Sequence, residues 1–355
     1  MTTLHQLRET LESAGEAHHV LPLDDGMSVV LTRRGARVLG LFPGAGADNL
    51  FWTNAALTSA ERLQAFVAAG NWNLGGERCW IAPEIQYNVR DRRDFWGTLN
   101  VPAAVDPGDY RFEVAGSAVR FSQTITLEAF NTARGVAELE ITRTIHPISN
   151  PLAPLQDSFS LMDGVRYGGY AQETTLTNLG DESICSEIWN LIQLNAGGQM
   201  IILSTPDVEA SDYCGEVPPE ARVVADNHVR LHMTGASQYK VGYKAATLLG
   251  RLAYWNRLAD SQEYLFVRQF NNDASNVYAE EPPDLPGVQG HSVHVYNDGG
   301  EFGGDVRFGE LECSGRTVGG QSGRSTAQDT FSLWAYVGSH AQISRIARVL
   351  LGVTL

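Results

Sequence analysis

Hydrophobic and polar residues alternate along most of this chain, which is the pattern of β-strands that bury one face. Gly, Asp, Asn and Pro separate the alternating runs, as turns require. Runs of this kind predict an all-β fold, a large antiparallel sandwich or barrel, and not a fold with helices between the strands. More than a dozen lie at 28–32, 36–42, 111–116, 119–130, 136–148, 170–178, 185–194, 199–203, 229–235, 264–270, 292–298, 309–315 and 329–338.

A few segments instead carry apolar residues at helical spacing, namely 1–16, 58–70 and 339–352. Gly15, Gly70 and Gly352 follow their last periodic residues, which is typical of helix ends. No linker or internal repeat divides the chain. We therefore expect one β-supersandwich domain over residues 1–355, with an N-terminal helix at 1–16, the sandwich core at 27–337 and a C-terminal helix at 339–352.

The charge of the chain excludes two classes of partner. With 26 Lys and Arg against 41 Asp and Glu, the net charge is −15. Such a surface repels phosphate backbones and anionic lipid, so we expect neither a nucleic acid nor a membrane as partner. No run of 18 apolar residues could cross a bilayer, and residues 1–16 lack the apolar core of a secretion signal. These features predict a cytoplasmic protein.

The chain contains no motif of a common cofactor or metal site. Its four cysteines, Cys79, Cys185, Cys214 and Cys313, are widely spaced, which predicts reduced and partly buried thiols. The patterns G-x-x-x-x-G-K-[ST], G-x-S-x-G and H-E-x-x-H do not occur. We therefore expect no cofactor and no metal ion.

Aromatic and charged side chains are concentrated in residues 71–96, which include Glu77, Arg78, Trp80 and Glu84. Sugars have apolar C–H faces surrounded by hydroxyl groups. Aromatic planes can cover the faces, while carboxylates and guanidinium groups bind the hydroxyls. The segment predicts a carbohydrate site. A Trp-rich corner of the core beside a solvated Arg cluster is the alternative.

A second candidate is the predicted strand at 185–194. On one strand Glu187, Trp189 and Gln193 share a face, and the isoleucines occupy the other. The face with the isoleucines is predicted to pack in the hydrophobic core. The face with Glu187 predicts the polar wall of a cleft, with an ordinary solvent-facing surface as the alternative.

A third candidate is the late pair of strands at 292–298 and 309–315. His294 and Tyr296 are in phase on the first, and Glu310 and Glu312 share a face of the second. Two carboxylates near a histidine can transfer protons, and burying them together raises the pKa of one of them. A charged exterior face is the alternative.

The order of these segments resembles that of the galactose mutarotase-like, or aldose 1-epimerase-like, proteins over about residues 27–337. GGERCWIAPE (75–84) is similar to a G-G-x-R-x-W-x-x-P-E segment found in poorly characterised bacterial members. The opening at 35–54 resembles a strand pair that leads to an N-L-x-W element, and 175–194 resembles a T-x-x-N-x-G/S-D strand with the strand after it. SVHVYND (292–298) and GELEC (309–313) resemble the family's late strand pair.

The resemblance implies a β-supersandwich with a carbohydrate cleft on a concave face. In mutarotases a Glu on the late Leu-Glu strand is the general base, and Glu312 after Leu311 falls at that place. Histidines supply the acid in the family, but the corresponding segments at 186–191 and 74–77 have none. Glu187 or Glu77 then becomes the candidate acid.

The leading hypothesis is a carbohydrate-active or carbohydrate-binding protein that interconverts sugar anomers or epimers, with Glu312 as base and Glu187 as acid. Arg78 would hold the oxygens of a sugar or sugar acid. A non-catalytic sugar-binding module is one alternative. A polysaccharide lyase-like enzyme that uses Arg78 or Arg268 with Tyr296 is another. The expected binding residues are Glu77, Arg78, Trp80, Glu84, Trp189, Gln193, Arg268, His294, Tyr296 and Glu310.

Overall fold

The computed structural model of the chain describes residues 2–259, 261–300 and 307–355, which form two antiparallel sheets packed face to face. The predicted all-β supersandwich with a few short peripheral helices is confirmed. Strands are numbered along the chain. Across the first sheet they are β1 (His18–Pro22), β2 (Ser28–Thr32), β3 (Arg37–Phe42), β4 (Glu77–Ala82), β9 (Glu187–Asn195), β18 (Phe308–Ser314), β17 (His291–Asn297), β14 (Tyr239–Lys244) and β11 (Ala210–Cys214).

The second sheet has ten strands in the described part of the chain. Across this sheet they are β12 (Arg222–Val224), β13 (His228–His232), β10 (Gln199–Ser204), β15 (Leu248–Arg257), β16 (Glu263–Phe270), β19 (Thr326–Gly338), β8 (Arg166–Asn178), β7 (Gly135–Pro147), β6 (Ala118–Ala129) and β5 (Arg111–Ala115). The helices are α1 (Leu4–Ala14), α2 (Ala60–Ala68), α3 (Glu84–Tyr87), α4 (Phe95–Thr98), α5 (Ser158–Met162) and α6 (His340–Leu351).

Alternation of side chains decides which face of a strand enters the core. On β7, Leu139 and Ile141 are buried between the sheets, and Glu138 and Glu140 are exposed on the other face. Strand β4 differs, because all six of its residues are buried. Both faces of β4 are therefore covered, one by the second sheet and the other by the loops around a pocket.

Helices cover the outer faces of both sheets, but only in part. Ile343 and Ile346 of α6 pack against the outer face of the second sheet. Leu7 of α1 and Leu63 of α2 pack over β2 and β3 of the first sheet. The outer face of the remaining strands of the first sheet is left for the pocket. No helix among the described residues is long and apolar enough to cross a membrane.

Candidate functional site

Strands β4, β9, β18, β17 and β14 are neighbours, and they direct polar side chains to the same outer face of the first sheet. Residues directly opposite each other in antiparallel strands point to the same side. The register therefore forms two rows across the face. One row is Arg78–Leu191–Glu312–His294–Gly242, and the other is Gln193–Glu310–Tyr296–Lys240.

A pocket opens over this face, with about 690 Å³ of empty space that includes the solvent at its mouth. The acidic and basic residues that line the pocket are Arg78, Glu84, Lys240, Glu280, Glu281 and Glu310. The other lining side chains are Trp72, Trp80, Phe95, Trp96, Leu99, Val101, Trp189, Tyr213, Cys214, Pro283, Tyr296 and Phe308.

A buried ion pair forms the floor of the pocket. The Nη2 atom of Arg78 lies 2.8 Å from Oε1 of Glu310, and the side-chain amide of Gln193 donates to the same oxygen at 2.9 Å. The guanidinium group of Arg78 also stacks over the ring of Trp80, 4.2 Å from its centroid. Its Nε and Nη1 atoms have no hydrogen-bond partner among the described residues. The floor thus holds unused donors beside a carboxylate.

Three indole rings form a connected wall. The centroid of Trp80 is 4.9 Å from that of Trp72 and 5.8 Å from that of Trp189, both at steep interplanar angles. The Nε1 atom of Trp80 donates to Asp106 at 3.0 Å, and Asp106 also pairs with the buried Arg37. These contacts fix the orientation of the wall before any ligand binds.

Lys240 lies between two acidic side chains and above an indole ring. Its Nζ atom is 2.8 Å from Oε2 of Glu84, 3.4 Å from Oε2 of Glu312 and 4.5 Å from the centroid of Trp189. Burial alone lowers the pKa of Lys240, but Glu312, Glu84 and Glu280 together raise it above its usual value. Lys240 is therefore a permanent cation of the site.

Glu312 lies directly behind this part of the wall and is fully buried. It accepts a hydrogen bond of 3.0 Å from Nε1 of Trp189, while its Oε1 atom has no partner within the described ranges. Burial raises the pKa of Glu312 to about 8, since it outweighs the opposing effect of Lys240, and the nearby Glu310 raises it further. The Glu312 carboxyl group therefore takes up a proton more readily than an ordinary glutamate.

The loop before β17 closes the opposite side of the pocket. Glu280 accepts hydrogen bonds from the backbone N–H groups of Glu84 and Ile85. Burial raises the pKa of Glu280 to about 8, with the charge of Glu84 adding to the effect and Lys240 opposing it. Glu281 pairs with Arg92 at 2.9 Å, which ties the loop to the segment before α4.

Eight of the residues predicted from sequence meet at this site. Six line the pocket, Gln193 supports its floor, and Glu312 supports its wall from behind. The six that line it are Arg78, Trp80, Glu84, Trp189, Tyr296 and Glu310.

Two predicted binding residues, Glu77 and Arg268, do not reach the pocket. They form an ion pair between the two sheets, and neither side chain is exposed. Tyr170 and Gln172 of β8 also donate hydrogen bonds to Glu77. The physical reason is that successive side chains of a strand point to opposite faces, so Arg78 points outward and Glu77 inward.

Glu187 and His294 are on the face of the pocket but lie beneath other residues. Glu187 accepts hydrogen bonds from the backbone of Ala279 at 2.5 Å and from Thr317 at 2.7 Å, and burial raises its pKa to about 7. His294 lies edge-on to Tyr213 at 4.7 Å, and burial lowers its pKa well below the usual value. Neither residue lines the pocket, so the predicted acid, Glu187, is separated from it.

Sequence reasoning missed Lys240 and the acidic pair Glu280 and Glu281. A usable signal for Lys240 was its rarity, because the chain has only two lysines, Lys240 and Lys244. Both lie in a short run in which Tyr239, Val241 and Tyr243 alternate with them, as in a strand. Within residues 2–259, 261–300 and 307–355, no three His, Cys, Asp or Glu side chains are grouped so that they could hold a metal ion.

Comparisons with known proteins agree with this fold. A structure from Klebsiella pneumoniae described as a "putative aldose 1-epimerase" is 12% identical, with a TM-score of 0.52 over 96% of this chain and 84% of that one. A galactose mutarotase-like protein from Lactobacillus casei is also 12% identical, with a TM-score of 0.45 over 90% of this chain and 100% of that one. The Klebsiella pneumoniae structure confirms the predicted resemblance to aldose 1-epimerase-like proteins at the level of the fold.

No curated protein matches the chain. A family model, in contrast, matches nearly the whole length of the described sandwich. Residues 27–355 match the model of a family of unknown function, DUF6786, and the chain belongs to that family.

Proposed function

We propose that the pocket binds a carbohydrate, and the buried pair of Arg78 and Glu310 on its floor is the observation that carries this proposal. Sugar hydroxyls both donate and accept hydrogen bonds, so a site for them needs donors and acceptors held side by side. Glu310 offers acceptor oxygens. Arg78, which lines the pocket, is the donor beside it; its Nε and Nη1 atoms are buried and have no partner in the described part of the chain.

The rest of the lining supports a neutral sugar. Trp72 and Phe95 line the pocket and are partly exposed, so they offer the apolar surface that C–H faces require. Both cations that line the pocket in the described part of the chain are already paired, Arg78 with Glu310 and Lys240 with Glu84. The carboxylate of a sugar acid would therefore meet no unpaired cation there, and Arg268, the other cation of the lyase-like alternative, lies between the sheets. The mutarotase-like fold is compatible with the same class of ligand.

Calorimetric titration with a panel of aldoses tests the proposal. We expect at least one neutral aldose to bind saturably and the Glu310→Gln variant to bind it at least tenfold more weakly, which corresponds to about 1.4 kcal/mol. Glu113→Gln is the matched control, since Glu113 forms an exposed pair with Arg111 on β5. Circular dichroism verifies that each variant is folded. Absence of saturable binding to every sugar, or equal affinity in the Glu310→Gln variant, contradicts the proposal.

Interconversion of anomers is the second candidate function, and the acidic groups that line the pocket favour it. A carboxylate would take the proton of the anomeric hydroxyl group, the bond from C1 to the ring oxygen would break, and its electron pair would go to that oxygen. An acid would protonate the ring oxygen, and the reverse steps after rotation about C1–C2 would give the other anomer. Glu310 is the carboxylate with access, and Glu280, with a pKa of about 8, is the acid.

Exchange NMR between the α and β anomeric protons of the sugar that binds decides this candidate. We expect faster exchange with the protein than in buffer, and its loss in Glu310→Gln and in Glu280→Gln at saturating sugar. The exchange rate in Glu312→Gln is compared with that in Glu310→Gln, because the family resemblance implies Glu312 as the base. Exchange that survives in Glu310→Gln but is lost in Glu312→Gln would assign the base to Glu312. Exchange no faster than in buffer leaves a non-catalytic sugar-binding protein.

A further inference from the structure

The pocket has an apolar rim that differs from its charged floor. Phe95, Trp96, Leu99 and Val101 form this rim, and all four come from the segment that contains α4. The charged lining residues named above lie outside this segment. The side chains differ in exposure as well, because Trp96 is 51% exposed, whereas Trp80 and Trp189 in the wall are each 3% exposed.

Trp96 packs edge-on against Phe95, with ring centroids 5.0 Å apart, and its segment is also held by contacts that do not involve its own ring. The segment is held by polar contacts, in which Asp94 caps α4 through the N–H group of Gly97 at 3.2 Å and Thr98 donates to the backbone of Asp94 at 2.8 Å. Arg92 anchors it to the opposite loop through Glu281 and the carbonyl groups of Pro282 and Pro283. Because about half of the Trp96 side chain stays exposed to solvent, its burial on folding contributes little to stability. The exposed face of the indole is available to a ligand.

We infer that the rim is a second sugar subsite, and that the pocket takes a glycoside or an oligosaccharide in preference to a free monosaccharide. This inference depends on the proposed function, because the first ring occupies the floor. The second ring leaves the pocket beside Trp96 and lays its C–H face on the indole. The rim residues carry no charge, so the second ring is neutral as well.

Calorimetric titration of glucose and galactose against maltose, cellobiose and lactose tests the subsite. We expect at least one disaccharide to bind about tenfold more tightly than its monosaccharide. In Trp96→Ala the disaccharide loses this advantage, while the monosaccharide binds as in the wild type. Phe159→Ala is the control, because Phe159 of α5 is 92% exposed and is not part of the pocket lining. Trp96→Phe retains a ring and is expected to keep part of the advantage.

The outcomes separate this inference from the proposed function. Equal affinity of the wild type for mono- and disaccharides, or an equal loss for both in Trp96→Ala, overturns the subsite and leaves the sugar site on the floor. Absence of binding to all five sugars overturns both. If Trp96→Ala instead abolishes a concentration-dependent dimer and leaves disaccharide affinity unchanged, the rim is a contact between copies of the chain and the subsite is overturned.

Discussion

Lys240 is a buried ammonium group that neutralises an acidic cluster. Glu84 and Glu312 lie within 3.4 Å of its Nζ atom, and Glu280 raises its pKa as well. Charges buried at such distances interact more strongly than at the surface, and removing one partner leaves the others uncompensated. The stability of the cluster therefore depends on this one cation.

We predict that Lys240→Met destabilises the protein by about 3–5 kcal/mol at pH 8, as expected when one partner of a buried ion pair is removed. The carboxyl groups left behind can escape the penalty by taking up protons, so the loss is smaller at pH 5. Urea unfolding at both pH values measures the difference. Lys244→Met is the matched control, because Lys244 lies on the same strand but forms an exposed pair with Glu209. Equal losses at pH 5 and pH 8 contradict the prediction.

The carboxyl groups around Lys240 also determine whether the stability of the wild type rises or falls with pH. The pKa of Glu312 is about 8 in the folded protein against an ordinary value of 4.5. Between these values the folded state binds more protons than the unfolded state, so the contribution of Glu312 to stability falls as the pH rises. Glu280, with a pKa of about 8, acts in the same direction. This contribution is complete below about pH 4.5 and is lost above about pH 8.

Strand β4 shows how one element serves two functions through alternate residues. Arg78 and Trp80 point to the pocket, while Glu77 points to the second sheet and pairs with Arg268. The inward residue ties the sheets together, and the outward residues form the floor and wall of the site. Stability and binding should therefore separate between adjacent positions of this strand.

We predict that Glu77→Gln destabilises the protein by about 3–5 kcal/mol, because Arg268 stays buried without its carboxylate. The affinity of the folded variant for sugar should remain that of the wild type, since Glu77 does not contact the pocket. Thermal unfolding and calorimetric titration measure the two effects separately. In contrast, Glu310→Gln, on the outward face of β18, should lower the affinity for sugar. A tenfold loss of affinity in Glu77→Gln would refute this division of roles.

Patterning predicted most of the strands, including buried ones such as β9, β17 and β18, but it missed β4 and β14 at the site. The alternation in β6 and β7 located both, and the phase of β18 placed Glu310 and Glu312 on one face. Strand β4 is buried on both sides and has no alternation, so Glu77 and Arg78 could not be assigned to opposite faces. Strand β14 did alternate, but its run is short and was not recognised, which is why Lys240 was missed.

At the scale of the whole molecule, the site is assembled from distant parts of the chain. Arg78 and Glu310 are 232 residues apart, and Lys240 is 156 residues from Glu84. Local periodicity cannot determine which strands become neighbours. The order of motifs shared with mutarotase-like proteins supplied that information for the fold. It did not supply the contacts of Glu280 and Glu281, because they depend on the path of a loop.

The two sheets have different roles. The first carries the pocket, and the second, together with α6, supports the first. Ile346 of α6 is fully buried against the outer face of the second sheet, on the far side of the sandwich from the pocket. We predict that Ile346→Ala lowers the free energy of unfolding by about 2–5 kcal/mol through the cavity it creates, and leaves the sugar dissociation constant unchanged below the unfolding transition. Ser344→Ala, at a partly exposed position of α6, is the control. A change in sugar affinity in the folded Ile346→Ala variant would show that the sheets are coupled, because the cavity itself lies too far from the floor to touch a ligand.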